Sequence, residues 1–244
     1  MSQIKVLFFA ADPASADRDN PDPRLLLDED VRRIREKVRA AEHRDAIDFD
    51  HRWAARPDDL IQALNEVSPQ IVHFSGHGGR QGLVLVGEDG YPQTVPAAAL
   101  TRLFTAFRGG IRLAVLNACT TLPLAEALAP VIGCAIGNRG KVPDDAAVLF
   151  GAAFYRAIAF GKSVQAAYDQ ACVAMSIEGF TDDQIPVLVT GPGVDPSSMV
   201  LVRPVPTGPV RPTHPDVHQN VTVGGNGNNV NVAGRDMHLP ASTR

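Results

Sequence analysis

A histidine and a cysteine each come directly after an apolar run of this chain. His77 follows the run Ile71–Ser75, and Cys119 follows the run Ile111–Asn117. A thiol becomes an effective nucleophile when a neighbouring imidazole takes its proton. If the two runs are adjacent strands of one sheet, the imidazole and the thiol face each other across one crevice, and the pair has the arrangement that covalent catalysis by cysteine requires.

Each residue alone has a plainer interpretation. A cysteine at a strand end is usually a small buried apolar group, and a single histidine is usually a hydrogen-bonded structural residue. The shared position after two strands favours the catalytic interpretation, and a helix start close to Cys119 favours the thiolate. His73 and His77 have the i, i+4 spacing of a helical metal pair, but on a strand this spacing is roughly 13 Å. We therefore predict a structural role for His73 and no metal site.

Two segments resemble nucleotide-binding loops, but each lacks residues that such a loop requires. The segment 76–82 resembles a dinucleotide-binding loop, but Gln81 stands where the third glycine belongs. The segment 135–142 resembles a phosphate-binding loop, but Ala135 replaces its first glycine and Val142 replaces the hydroxyl that binds magnesium. The three cysteines form neither an even set nor a C-x-x-C pair, so no disulfide framework, thiolate metal site or other cofactor is predicted.

Apolar runs alternate with helical patterns through most of the chain, which predicts an α/β fold with a mostly parallel sheet covered by helices on both faces. In such sheets functional groups gather at the carboxyl ends of the strands. The predicted strands are Ile4–Ala10, Ile47–Trp53, Ile71–Ser75, Ile111–Asn117, Val131–Ile136 and Ile185–Val189. One predicted helix has Leu27, Val31, Ile34, Val38 and Ala41 on one face and an acidic first turn at positions 28–30; others begin near Pro57, Ala97, Pro123, Asp144 and Ser163.

Composition restricts the partners and the compartment. The net charge is −4, the basic residues are dispersed, and nucleic-acid binding is not favoured. The apolar runs are too short to span a bilayer and the first residues do not resemble a signal peptide, so we expect a cytoplasmic protein with no membrane span.

The composition changes after Arg203, where five prolines occur within twelve residues. We predict a folded domain at 1–203, an extended linker at 204–216 and a separate Asn/Gly/Val-rich tail at 217–244. The tail repeats a short alternating unit, first at Asn220–Gly225 and again at Asn229–Gly234. Two such strands are too short to be stable alone, but stacked copies from many chains can pair their backbones.

The motifs HFSGHG at His73–Gly78 and LNAC at Leu116–Cys119 resemble the histidine and cysteine motifs of CHAT domains, which are caspase-like peptidases of clan CD. Similar resemblance extends over AADP at Ala10–Pro13, LLLDEDVRRI at Leu25–Ile34, RPDDL at Arg56–Leu60, and Phe154 with Tyr155, and so covers the chain from about Ile4 to Leu188. The resemblance implies a caspase-like three-layer sandwich, to which the tail adds a flexible segment.

The resemblance also implies roles for individual residues. It implies His77 as the general base, Cys119 as the nucleophile, and the backbone amides of Gly78 and Cys119 as the oxyanion hole. By position it further implies that Asn117 and Arg24 line the substrate pocket, although a strand-end hydrogen bonder and a solvated charge are the alternatives for these two.

Two pairs of neighbouring residues bear on this comparison. Thr120 and Thr121 depart from related sequences and affect the expected shape of the pocket. Asp144 and Asp145 are predicted to cap the helix that follows them.

The tail resembles bacterial amyloid-signalling sequences and, distantly, the homotypic interaction motif of necroptosis proteins. The combined expectation is a cysteine endopeptidase acting on a protein or peptide substrate in a bacterial defence or cell-death pathway. Its activating partner is expected to be a nucleotide-binding sensor with a matching motif, joined by homotypic assembly of tails. The alternatives are a catalytically silent caspase-like scaffold that binds other proteins and is clustered by its tail, and a sugar- or nucleotide-processing α/β enzyme, for which phosphate-loop, metal and paired-carboxylate signatures are lacking. For the tail itself, the alternative is a disordered Gly/Asn segment.

Overall fold

A six-stranded sheet positions both candidate residues in the computed structural model, which describes residues 3–15 and 25–202. The elements are β1 (Ile4–Ala11), α1 (Leu27–Arg39), β2 (Ile47–Trp53), α2 (Asp59–Val67), β3 (Ile71–Gly76), β4 (Gly78–Gly79), β5 (Gly82–Val86), β6 (Pro92–Pro96), α3 (Ala97–Ala106), β7 (Leu113–Asn117), α4 (Leu122–Ile132), β8 (Cys134–Gly137), α5 (Asp144–Ala159), α6 (Val164–Ile177) and β9 (Val187–Thr190).

The strand order in the main sheet is β2-β1-β3-β7-β8-β9. The first five strands are parallel, and β9 pairs antiparallel with β8 at one edge. The central strands are buried on both sides, and their sequences are nearly continuous apolar runs, as expected for a sheet covered on both faces. The predicted α/β fold, with a mostly parallel sheet covered by helices on both faces, is confirmed.

Two helical layers cover the sheet, and alternate strand residues enter one layer or the other. The first layer consists of α1, α5 and α6 and packs against strand residues such as Phe8 and Val115. The second layer consists of α2, α3 and α4 and packs against their neighbours Phe9 and Leu116. This alternation follows from the two-residue period of a strand.

Helix α1 shows how the sequence specifies its element. Its apolar residues at positions 31, 34 and 38 are buried against the sheet, and the acidic first turn and basic last turn complement the helix dipole. The last turn of α1 is followed by Ala40, not by glycine. Helix α4, in contrast, is followed by Gly133, whose φ of 103° only glycine adopts without strain.

The structure differs from the sequence expectation in two places. The segment 79–90, in which no strand was predicted, contains strand β5, which pairs with β6 and with β4 in a separate antiparallel sheet. The strand expected from Val131 begins instead at Cys134, because α4 continues through Ile132.

No helix in residues 3–15 and 25–202 is long and apolar enough to cross a membrane. The predicted linker at 204–216 and the predicted tail at 217–244 lie outside the described residues.

Candidate active site

Adjacent parallel strands carry the predicted pair to the same edge of the sheet. In the register of β3 with β7, Ser75 is opposite Asn117. His77 and Cys119 each follow two residues later, so both leave the sheet at its carboxyl edge. Both side chains line one cavity there. The structure therefore brings together the two residues that the sequence analysis selected.

The cavity opens between the first turns of α1 and α5 and the ends of β3 and β7. With its open mouth it contains about 440 Å³ of space free of protein atoms. Its lining residues come from four separate segments and are Leu25, Leu26, Leu27, Asp30, Ser75, Gly76, His77, Asn117, Ala118, Cys119, Val142, Asp144, Ala147 and Val148.

Two glycines flank His77 because neighbouring atoms leave no room for a side chain. A Cβ on Gly76 would lie 2.5 Å from the carbonyl oxygen of Ala11. A Cβ on Gly78 would lie 2.9 Å from Cβ of Ala118 and 3.2 Å from the carbonyl oxygen of Cys119. Neither glycine has a positive φ, so close packing, and not the backbone conformation, requires glycine at these two positions. The histidine and cysteine segments are therefore in direct van der Waals contact.

A carboxylate that the sequence analysis did not select contacts His77. Asp12 directly follows β1, the strand next to β3, and its Oδ1 lies 3.3 Å from Nε2 of His77. The Asp12 side chain is 10% exposed and that of His77 is 35% exposed, so the imidazole lies between a sheltered acid and the open cavity. A carboxylate on one ring nitrogen fixes the tautomer and the orientation of the ring and leaves the other nitrogen to act as a base.

The segment that carries Cys119 is held by three hydrogen-bonding residues. Thr120 has φ of 53°, an unusual value for a β-branched residue, and its N–H donates to the carbonyl of Gly140. The Thr121 hydroxyl lies within hydrogen-bond distance of the carbonyls at positions 116 and 118, and it accepts from the N–H of Asn138. The Asn138 amide group donates to the same two carbonyls. The partly exposed Cys119 therefore lies on an immobilised turn, two residues before the N-cap of α4.

The two threonines that follow Cys119 have structural roles in this turn. Thr121 is fully buried and closes the turn below the cysteine, whereas Thr120 supplies the left-handed residue of that turn. Neither threonine lines the cavity. Sequence reasoning did not select Asn138, and the available signal was its position directly after β8.

Below the pair, a buried carboxylate joins three elements. Asp30 of α1 is 1% exposed. Its Oδ2 accepts hydrogen bonds from the Ser75 hydroxyl, at 2.9 Å, and from the Asn117 amide, at 3.3 Å. Burial raises the pKa of Asp30 to about 7, and the two hydrogen bonds act in the opposite direction. The sequence suggested only a helix-dipole role for this acidic turn, but Asp30 lines the cavity.

His73 lies in the first layer, away from the cavity. Its ring stacks on Phe8 with centroids 4.3 Å apart, and its Nδ1 is 3.1 Å from the hydroxyl of Tyr155. Burial lowers the pKa of His73 to about 3, so the imidazole is neutral near pH 7. These contacts are those of a core residue, and His73 is not among the residues that line the cavity.

The remaining predicted residues have different outcomes. Asn117 lines the cavity, whereas Arg24 lies outside the described residues. The amides of Gly78 and Cys119 belong to the two segments that meet at the cavity, and their oxyanion role stays a prediction. The N-cap of α5 is Pro143, so neither Asp144 nor Asp145 occupies the cap position that the sequence predicted. Asp145 lies in the first turn, and its Oδ1 accepts a hydrogen bond from the N–H of Ala146. Asp144 instead lines the cavity, and its carboxylate accepts from the backbone of Leu26.

Comparison with known proteins places this site in a family. The CHAT domain family model matches residues 9–184. A Roc-COR-CHAT protease from an unknown prokaryotic organism is 23% identical over 133 residues, which are 52% of this chain and 12% of that protein. The chain thus spans about an eighth of the length of this curated relative.

Two solved structures match this chain. The Arg-specific cysteine proteinase gingipain R matches with a TM-score of 0.53 and 12% identity, over 80% of this chain and 47% of that one. Caspase-1 from Spodoptera frugiperda matches with a TM-score of 0.47 and 9% identity, over 77% and 86% of the two chains. The gingipain match is a likeness of fold. Because the family model covers more than half of the sequence, including the strands that carry His77 and Cys119, the chain belongs to the CHAT domain family.

Proposed function

We propose that this chain is a cysteine endopeptidase that acts through His77 and Cys119. The observation that carries the proposal is the convergence of these two side chains on one cavity, at the ends of adjacent parallel strands. Membership of the CHAT family and a relative described as a protease support it. In the proposed reaction, His77 takes the thiol proton of Cys119, and the sulfur attacks the carbonyl carbon of the scissile peptide bond.

The remaining steps follow from the same two residues. The tetrahedral oxyanion is stabilised by the amides of Gly78 and Cys119, which require no particular side chain. The protonated His77 then gives its proton to the departing amine, and a thioester on Cys119 remains. A water molecule, deprotonated by His77, hydrolyses the thioester and releases the acid product and the free thiol. Asp12 holds the imidazole in the tautomer that these steps need.

A peptide-library cleavage assay tests this proposal. The purified chain should cut a subset of peptides, and Cys119→Ala should cut none at the same concentration. The alternative proposal is a catalytically silent scaffold, for which the assay would detect no cleavage by either protein. Because activity can depend on assembly, the assay should be run on the monomer and on a fusion in which an inducible dimeriser replaces residues 204–244. We expect low activity in the dilute monomer and a rise on dimerisation.

We further propose that the tail recruits the domain to a partner with a matching motif, a nucleotide-binding sensor in a defence or cell-death pathway. The repeat at positions 220–225 and 229–234 and the absence of charge between Gln219 and Gly234 support this proposal. Peptides spanning 217–239 should form cross-β fibres, and Val223→Lys with Val232→Lys should prevent them, because like charges would repeat about every 4.8 Å along the stack. A peptide that stays monomeric at millimolar concentration would contradict the assembly role.

A further inference from the structure

A carboxylate with an unused oxygen lies in the wall of the candidate active site. Asp30 is one of the residues that line the cavity, and its side chain is almost fully buried. Ser75 and Asn117 both donate to Oδ2. Oδ1 is buried and has no hydrogen-bond partner among residues 3–15 and 25–202. A buried acceptor without a partner costs free energy, so in a native structure such a group requires an explanation, for example a catalytic role or a bound ion.

The space around this carboxylate suits a long side chain with a polar end. Apolar residues of three segments form the walls of the cavity, among them Leu26, Val142, Ala147 and Val148. Next to the acid, α5 has Gly151, and a Cβ at that position would lie only 3.2 Å from Oδ1 of Asp30. The apolar walls can cover the methylene groups of a side chain whose charged end reaches the carboxylate.

Acidic side chains outnumber basic ones in the described lining of the cavity, where His77 is the one basic residue. Of the lining residues within the described part of the chain, Asp30 and Asp144 carry carboxylates, and none is lysine or arginine. The raised pKa of Asp30, caused by burial, shows that nothing in its described surroundings compensates its negative charge fully. A cation placed beside the carboxylate would favour the ionised form and supply that compensation.

We propose that this cavity is the subsite for the substrate residue whose carbonyl Cys119 attacks, and that Asp30 selects arginine or lysine at that position. This inference rests on the proposed peptidase function and adds a substrate class to it. Asn117 and Ser75 hold Oδ2, and the incoming guanidinium or ammonium group pairs with the carboxylate at the inner end of the cavity. Asp144, at the start of α5, adds a second negative charge to the same space.

Matched peptides test the subsite. The substrates should be identical except at the residue before the cut, which is arginine, lysine, citrulline, norleucine or aspartate. Citrulline has the shape of arginine without its charge. We expect wild-type kcat/KM for arginine to exceed that for citrulline by about a hundredfold, because a site built for a charged partner rejects an analogue that leaves its buried polar group unpaired.

Variants then assign the preference to one residue. Asp30→Asn should reduce the arginine-to-citrulline ratio to near one while the citrulline peptide is still cut. Asp28→Asn, an equal charge change on the exposed side of the same helix turn, should leave the ratio unchanged. If Asp30→Asn fails to fold, the wild-type ratio alone decides. Equal cleavage of the arginine and citrulline peptides overturns the subsite and leaves the peptidase intact. The cation subsite is also overturned if the wild-type protein prefers the aspartate peptide and Arg24→Ala abolishes that preference, because Arg24 would then select the substrate.

A binding measurement separates failure of the subsite from failure of the proposed function. If no peptide is cleaved under any condition, the peptidase proposal fails. The cation subsite can then still be tested with agmatine, a small molecule that carries the guanidinium group of arginine. Agmatine should raise the melting temperature of the full-length wild-type chain and should not affect Asp30→Asn. No shift in the wild-type protein would overturn the cation subsite as well.

Discussion

The two faces of the sheet have contrasting interiors. The second layer, built by α2, α3 and α4, is lined by aliphatic and phenylalanine side chains, and even the small cavity within it has only apolar walls. The first layer, built by α1, α5 and α6, contains three buried polar groups in its core: Asp30, His73 and Tyr155. The strands contribute side chains to both faces of the sheet, and the polar strand residues Ser75 and Asn117 donate hydrogen bonds to Asp30 in the first layer.

This contrast separates stability from function. Burying a polar group costs free energy unless hydrogen bonds compensate it, so an apolar layer is the cheaper way to stabilise a sheet. In the first layer, this cost arises next to the cavity, where the buried Asp30 forms part of the cavity wall. We therefore expect substitutions next to the cavity to change catalysis more than stability, and substitutions in the second layer to do the reverse.

The largest expected effect concerns the candidate dyad. His77→Ala and Cys119→Ala should each lower kcat/KM by at least about a thousandfold, and the double variant should be no worse than either single one, because the two residues act as a unit. Thermal unfolding should change little, since both side chains are partly exposed. Additive losses in the double variant would indicate two independent roles and would contradict a dyad.

The opposite effect is expected in the second layer. Leu64 of α2 is 1% exposed and borders the apolar cavity. Leu64→Ala should lower the free energy of unfolding by about 2–5 kcal/mol, as the lost contacts and the enlarged cavity both destabilise the native state. Urea unfolding measures this loss. The kcat of the folded fraction should stay near wild type, and a selective loss of kcat would break the division between the faces.

An intermediate effect is expected at Asp12, which orients His77 from the end of β1. Asp12→Asn should lower kcat by about tenfold to a hundredfold with KM nearly unchanged, because the carboxylate acts on the imidazole and not on the substrate. Asp12→Glu should restore part of the rate. Asp48→Asn, an exposed acid on β2, is the matched control. A rise in KM at constant kcat would assign Asp12 to substrate binding instead.

The smallest effect is a pH dependence of stability. With the pKa of Asp30 raised to about 7, the native state keeps a proton that the unfolded chain loses near pH 4. Stability contributed by Asp30 is therefore fully present below about pH 4 and falls as the pH rises to about 7. The pKa of His73 is lowered to about 3, so the stability that depends on His73 rises with pH up to about 6.5. His73 is present both in wild type and in Asp30→Asn, so comparing these two proteins removes most of its effect.

Urea unfolding of wild type and Asp30→Asn between pH 4.5 and 8.5 isolates this contribution. The wild-type free energy of unfolding minus that of the variant should fall as the pH rises to about 7 and be constant above about 8. Nε2 of His73 lies 3.9 Å from Oδ2 of Asp30, so the difference in unfolding free energy includes the interaction of this pair. A difference that does not vary with pH would mean that burial does not retain the proton on Asp30.

Sequence could predict the features that local pattern determines. The central strands are apolar runs long enough to identify, and residues after neighbouring parallel strands must meet at one edge, so His77 and Cys119 could be selected together. The hairpin of β5 and β6 was missed because prolines at positions 92 and 96 and the glycines before β5 are typical of a loop. An edge strand tolerates those residues, and only tertiary pairing reveals it.

The acids around the site could not be predicted in the same way. Asp30 looks like an ordinary first-turn carboxylate of α1, and its partners Ser75 and Asn117 are 45 and 87 positions away. Asp12 looks like the residue that ends β1, and its contact with His77 depends on β1 lying beside β3. Sequence pattern identifies the elements, whereas these contacts depend on how the helices pack across the sheet.

Covalent labelling tests the central claim most directly. The full-length chain should be treated with an equimolar panel of peptidyl acyloxymethyl ketones, and the modified cysteine identified by peptide mapping in wild type and His77→Ala. Burial raises the pKa of the thiols of Cys134 and Cys172, which makes them internal controls of low reactivity. If His77 activates Cys119, one adduct per chain should form, on Cys119, and it should form far more slowly in His77→Ala. Equal labelling of Cys119 in both proteins, or adducts mainly on Cys134 or Cys172, would contradict a His77–Cys119 dyad.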